Sequence, residues 1–221
     1  MKKALAIATL LILLLGVGYF AWPTGKIDTE GVSYTLTGDE KRLFRSGDII
    51  MRRGEGLVSD GIANMLAEPF DVTHCGVLLQ EQGKLWVVHA LQDKERGVDG
   101  IFAQDLDQFV AESRLGSIIV VRYNTVEDRT PQLIDRIHYY LKQDIPFDLG
   151  FDASDPSAFY CSELLQHLYM ETYGVDIFPI TLSLPITDLL KYTYLFDTTA
   201  FSPVINHHLQ SPVATSPLTT L

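Results

Sequence analysis

The sequence predicts an α+β domain, and two observations predict it. Strand patterns cluster in the first half of the chain and helical patterns in the second, rather than alternating as they would around a parallel sheet. The length of 221 residues, with 47% hydrophobic and 20% charged, suits one globular domain with appendages and a sizeable core.

The elements follow in order. Met1-Lys2-Lys3 precedes an uncharged apolar run from Ala4 to Trp22, read as an export segment that is either cleaved or kept as a membrane anchor, since roughly nineteen residues lie near the spanning minimum. The lysines hold the N-terminus inside, so the domain is expected outside the cytoplasmic membrane, periplasmic or anchored to its outer side. Residues 23–43 read as a linker with one short strand. The catalytic domain is expected over 44–197. Ser46-Gly47-Asp48 marks a turn into a strand at Ile49–Arg52, and a short helix falls within Gly56–Ala67. Strands at Val72–Gln80 and Lys84–Leu91 form a hairpin. A helix follows at Gln104–Glu112, then a buried strand at Ser117–Tyr123. Pro131 opens a helix to about Gln143, in a favoured first-turn position. Phe159–Tyr173 is helical, with Gly174 as its stop. From Thr198 the Thr-, Ser- and Pro-rich residues 198–221 read as a low-complexity tail.

Charge and motifs exclude some functions. A net charge of -11 and a pI near 4.8 repel phosphate backbones, so no nucleic-acid partner is expected. Cys75 and Cys161 are the two cysteines. Outside the cytoplasm such a pair suggests a disulfide, which would make the chain a non-enzymatic binding module. A zinc site is not expected, because Cys75 faces away from His74 and no C-x-x-C or H-x-x-x-H spacing occurs. No cofactor is expected either.

The chemistry is expected at Cys161. A helix start stabilises a thiolate through unpaired N–H groups and the helix dipole, and Asp155-Pro156-Ser157 signals that start. Such a nucleophile needs an imidazole to take its proton. Along the hairpin His74 alternates with Val72, Gly76 and Leu78, and His89 with Leu85, Val87 and Leu91. A turn that pairs Leu79 with Lys84 would set His74 directly opposite His89.

The order of Gly47-Asp48-Ile49-Ile50, Thr73-His74-Cys75-Gly76-Val77, Val88-His89-Ala90 and Tyr160-Cys161-Ser162-Glu163-Leu164 resembles the circularly permuted branch of the NlpC-type papain-like amidases, the bacterial YiiX and YaeF group. The resemblance runs from about Phe44 to Leu190. It implies a permuted papain-like fold, with a small antiparallel β-barrel packed on helices, and Cys161 as nucleophile, His74 as base and His89 as orienter. The chain departs from the commoner pattern at two places. Many bacterial members carry Glu where His89 stands, and His is more like the lecithin:retinol acyltransferase relatives. Cys75 replaces a small or aliphatic residue and is read as core packing. Phe147, Asp148 and Phe151 are expected to line the cleft, with Tyr160 beside the oxyanion. The implied function is an exported cysteine amidase or peptidase acting on a small-molecule or peptidoglycan-peptide substrate, with membrane association through residues 4–22. The alternative is a lipid-directed thioesterase or acyltransferase using the same side chains.

Overall fold

The computed structural model describes residues 33–94, 96–178 and 191–208. The expected export segment, most of the linker and the tail beyond His208 lie outside the described residues. Among the described residues no helix is long and apolar enough to cross a membrane.

In chain order the elements are α1 (Gly38–Leu43), β1 (Ile49–Arg52), α2 (Leu57–Leu66), β2 (His74–Glu81), β3 (Lys84–Asp93), β4 (Val98–Asp105), α3 (Leu106–Ala111), β5 (Ile119–Tyr123), α4 (Thr130–Leu141), α5 (Cys161–Tyr173), a 3-10 turn (Tyr192–Phe196) and β6 (Phe201–Asn206). The strands form one six-stranded sheet in the order β4-β3-β2-β1-β5-β6, with every neighbouring pair antiparallel. The α+β class holds, but the expected barrel does not. β4 and β6 are the two edges of an open sheet, because each already ends a run of neighbours and they do not pair with each other.

Three boundaries also differ from expectation. Tyr34 and Leu36 are buried and α1 carries a capping box, with Thr37 and Glu40 exchanging bonds, so the "linker" from residue 34 is part of the domain. Residues 201–206 are strand β6 rather than tail: Phe201 pairs with Tyr123 and Ser202 with Arg122. The expected helix at Gln104–Glu112 begins two residues later, because Asp105 closes β4 and caps α3 by accepting from Asp107 N and Gln108 N.

The sheet is buried on both faces. One face meets α4 and α5 through Met51, Cys75, Val77, Leu133, Leu164 and Leu168, and the other meets α3 and the N-terminal segment through Ile50, Leu78, Val87, Phe109 and Phe44. This explains why β1, sandwiched between β2 and β5, is buried at all four residues. Each fully buried Leu or Ile contributes about 2 kcal/mol of transfer free energy. Helix α5 ends as expected at Gly174, whose left-handed backbone lets its N–H reach Met170 O at 2.9 Å.

The hairpin register fixes the site. Gln82 and Gly83, with φ of 50° and 75°, form a two-residue primed turn in which both central residues need positive φ. Glu81 therefore pairs with Lys84, and Val77 with Val88. Extending that register sets His89 opposite Gly76 and His74 opposite Leu91, two residues away from the expected facing histidines.

Candidate active site

Cys161 is the first residue of α5, where backbone N–H groups lack intrahelical acceptors. The loop before it is tied by Asp155, which accepts from Ser157 N and Oγ at 2.9 and 2.6 Å. Tyr160 is extended, with φ -93° and ψ 173°, and its N–H donates to Glu163 Oε2 at 3.3 Å. This geometry starts the helix at the thiol.

Three groups converge on the Cys161 sulfur. The Cys75 thiol and the His74 ring act on it electrostatically, and Tyr192 Oη stands 3.5 Å away. The Cys161 pKa is driven well below that of an ordinary thiol, first by the hydrogen bond from Cys75, then by the charge and hydrogen bond of His74 and the Tyr192 hydroxyl, against the opposing effect of burial. Burial pushes Cys75 the other way, up, reinforced by the neighbouring Cys161. The pair thus divides into a thiolate and a thiol donor, and Cys161 is the thiolate because it alone has the helix N-terminus. Both cysteines are free, so the disulfide of the binding-module alternative is not formed.

Sequence alternation placed Cys75 and His74 on opposite faces of β2, and Cys75 does pack in the core, where it is also coupled electrostatically to Cys161. The head of α5 sits at the start of β2 and meets the side chains of both.

The two histidines touch despite the shifted register. His74 Nε2 lies 2.7 Å from His89 Nδ1, with the rings 4.9 Å apart and nearly edge-on at 77°. Gly76 makes this possible. A Cβ there would come within 2.9 Å of Val88 O and 3.0 Å of His89 Cβ, so only glycine leaves the space through which His89 leans diagonally toward His74. His89 is fully buried between Phe102 and Phe109, with ring centroids at 4.4 and 5.4 Å. Its pKa falls well below the usual imidazole value, chiefly through burial and then through His74 and Arg52, so it is neutral at neutral pH.

Behind His89 lies polar structure that sequence reasoning missed. Gln104 Nε2 donates to Glu112 Oε2 at 2.9 Å. Gln104 favours the protonated His89 ring, yet His89 Nε2 and Gln104 Oε1 are both buried with no hydrogen-bond partner. Arg52, the register partner of His74, donates to Phe109 O at 2.9 Å, lies 4.1 Å over the Phe109 ring and stands 3.8 Å from Glu112; burial lowers its pKa to about 10. Gln104 could have been found only by recognising β4, whose alternation is masked by charged and small residues. Tyr192 had no sequence signal at all. It is held by Glu68, which accepts from Tyr192 N at 2.9 Å and Thr193 N at 2.7 Å.

The four expected substrate contacts are placed differently. Tyr160 is buried in the core, 5.5 Å from the Phe151 ring, and so does not line an open cleft; burial raises its pKa. Asp148 organises its own loop, accepting from Gly150 N at 2.7 Å and Asp152 N at 2.6 Å. Phe147 bridges Phe159, and Phe147 and Phe151 pack edge to face at 6.2 Å. These residues brace the approach to α5. Glu163, in the first turn, is buried, and its pKa is raised to about 7, mainly by burial and then by Asp148, Asp155 and Asp152.

No curated protein matches this chain. Among solved structures, one described as metalloprotein yiiX from Escherichia coli O157:H7 is similar over 73% of this chain and 97% of that chain, with 21% identity and a TM-score of 0.55, which supports the permuted papain-like fold. Among the described residues, no group of three or more His, Cys, Asp or Glu side chains is arranged to hold a metal ion. The family model of the permuted papain-like amidases, YaeF/YiiX or C92, matches residues 44–182, a span that contains Cys161, His74 and His89. This chain therefore belongs to the permuted papain-like amidase family.

Proposed function

We propose that the protein is an exported cysteine amidase that hydrolyses amide bonds in cell-wall peptides through Cys161, His74 and His89. The observation that carries this reading is the meeting of a thiolate-stabilising helix head with a hydrogen-bonded pair of imidazoles, His74 Nε2 to His89 Nδ1 at 2.7 Å. The Cys161 thiolate attacks the substrate carbonyl carbon, and the oxyanion takes a hydrogen bond from the Cys161 backbone N–H. His74, carrying the thiol proton, gives it to the leaving amine as the C–N bond breaks. Water, deprotonated by His74, then attacks the thioester and releases the acid and the thiolate.

Export rests on Lys2, Lys3 and the apolar run after them, and residues 4–22 would supply any membrane association. A reporter fused after Leu221 should be active only on the outer side of the cytoplasmic membrane, and cytoplasmic activity would overturn the placement. For the reaction, purified protein is incubated with muropeptides, simple peptide amides and acyl thioesters, and products are read by mass spectrometry. Free amine from the peptides, lost in Cys161→Ala, is the expected result. Turnover of acyl thioesters with no peptide cleavage would instead support the lipid-directed reading, toward which His89 and the exposed Leu57 and Val58 of α2 lean.

A further inference from the structure

The geometry assigns Gln104 as a positioning residue that fixes the proton of His89 on Nε2, so that His74 presents its Nδ1 lone pair to the Cys161 thiol. This rests on the reading of Cys161 and His74 as nucleophile and base.

Although burial pushes the Glu112 pKa up, hydrogen bonds from Gln104 and Gln108 and the charges of Arg96 and Arg52 outweigh it, and the net direction is down. Glu112 is thus a carboxylate at neutral pH, and a carboxylate only accepts hydrogen bonds. The Gln104 amide must therefore turn its NH2 toward Glu112, as its 2.9 Å bond to Oε2 shows. The flipped amide would set oxygen against oxygen. With the nitrogen committed, Oε1 is the part of Gln104 left for His89. It is buried with no hydrogen-bond partner, as is His89 Nε2, and we pair these two orphaned atoms.

The sheet register brings these atoms together. Val87 pairs with Gln104 and His89 with Phe102, so Gln104 lies diagonal to His89 on one face of the sheet, as His74 lies diagonal to it on the other side. An amide oxygen facing a neutral imidazole selects the tautomer with N–H toward it. His89 then carries its proton on Nε2 and a lone pair on Nδ1. That lone pair accepts from His74 Nε2–H across 2.7 Å, which leaves His74 Nδ1 unprotonated and able to take the thiol proton. Before the thiol proton moves, each donor along the line Cys161, His74, His89, Gln104, Glu112 then points in one direction, toward the carboxylate. No proton passes beyond His74. When His74 becomes an imidazolium, the same line of oriented dipoles stabilises its charge. If the proton sat on His89 Nδ1 instead, it would face His74 Nε2, the His74 proton would move to Nδ1, and the base would confront the thiol with an N–H.

The test uses full-length protein labelled with ring-15N histidine, with His89 assigned by its loss in His89→Gln. The 15N shifts should show the Nε2–H tautomer at His89 in the unchanged protein. In Gln104→Met, which keeps the volume but removes the acceptor, the signal should move to a mixture of tautomers, and alkylation of Cys161 by iodoacetamide at pH 7 should slow at least tenfold while circular dichroism stays native. Gln104→Glu combined with Glu112→Gln keeps an oxygen toward His89 and an amide NH2 between positions 104 and 112, and should recover the tautomer and most of the alkylation rate. An Nδ1–H tautomer in the unchanged protein overturns the proposal, and that measurement stands even if Gln104→Met fails to fold. A folded Gln104→Met with unchanged tautomer and alkylation rate overturns it as well. Because neither readout uses a substrate, the absence of amide hydrolysis would count against the proposed reaction and not against the role of Gln104.

Discussion

Two buried polar clusters on the same sheet are built to opposite standards. At Asp48, which is 1% exposed, Arg122 binds both carboxylate oxygens, Nε to Oδ1 at 2.7 Å and Nη2 to Oδ2 at 2.8 Å, and Arg45 N–H adds a third bond at 2.9 Å. The same Arg122 ties down Leu43 O. In the line from His74 to Glu112, by contrast, His89 Nε2, Gln104 Oε1 and Arg52 Nε lack partners of full geometry. A satisfied bidentate pair holds β5 and the turn before β1 in place. An under-satisfied line of imidazoles and an amide costs stability and is retained where groups must exchange a proton.

The largest expected contrast comes from the histidine side. His74→Ala should lower turnover almost to the level of Cys161→Ala, because members of such a unit act together and their losses do not add. Steady-state kinetics on a confirmed substrate checks this, with little change in melting temperature. His89→Ala should cost between roughly tenfold and ten-thousandfold in rate, as for removal of an orienter, and His89→Glu should retain more activity than His89→Ala. A rate for His89→Ala equal to that of the unchanged protein would reduce the machinery to Cys161 and His74.

Asp48→Ala should do the reverse. It strands Arg122, which is partly buried, and should cost about 2–4 kcal/mol in urea unfolding, while Cys161 in the folded fraction is alkylated at its usual rate. If alkylation falls in step with stability, the two clusters are not separable.

A smaller effect is expected from Glu163. Its folded pKa of about 7 lies above the ordinary carboxyl value, so the folded state holds a proton that the unfolded chain releases. The stability contributed by the protonated group is whole below about pH 4.5 and is lost as the pH rises through 7, an effect on the order of 3 kcal/mol at most for a shift of this size. Glu163→Gln should flatten the pH dependence of urea unfolding in that window. An unchanged slope would place the shift elsewhere.

The smallest is Cys75→Ala. Loss of a small buried side chain should cost about 1 kcal/mol, and loss of the thiol donor should move the midpoint of Cys161 alkylation to higher pH. An unmoved midpoint would leave the helix head and His74 as sufficient causes of the low thiol pKa.

By itself the sequence determined which residues could do chemistry and on which side of each element they stand. Period-two alternation set His74 and His89 each on one strand face, the Asp155-to-Ser157 turn and Gly174 bracketed the helix headed by Cys161, and the segregation of strands from helices fixed the α+β class. Alternation reports a face, however, and not a register or a neighbour. The Gln82-Gly83 turn moved the hairpin two residues from the expected alignment, and only the missing side chain of Gly76 lets the two histidines still meet. Which helix end covers β2, and hence that Cys75 comes to lie beside Cys161, depends on packing between segments some eighty residues apart. The same holds for Tyr192 and Gln104, and for the open sheet, whose edge strands β4 and β6 carry too many charged, small or proline residues for their pattern to announce them. Long-range contacts are chosen by the burial of the whole core, and no local stretch of sequence encodes that choice.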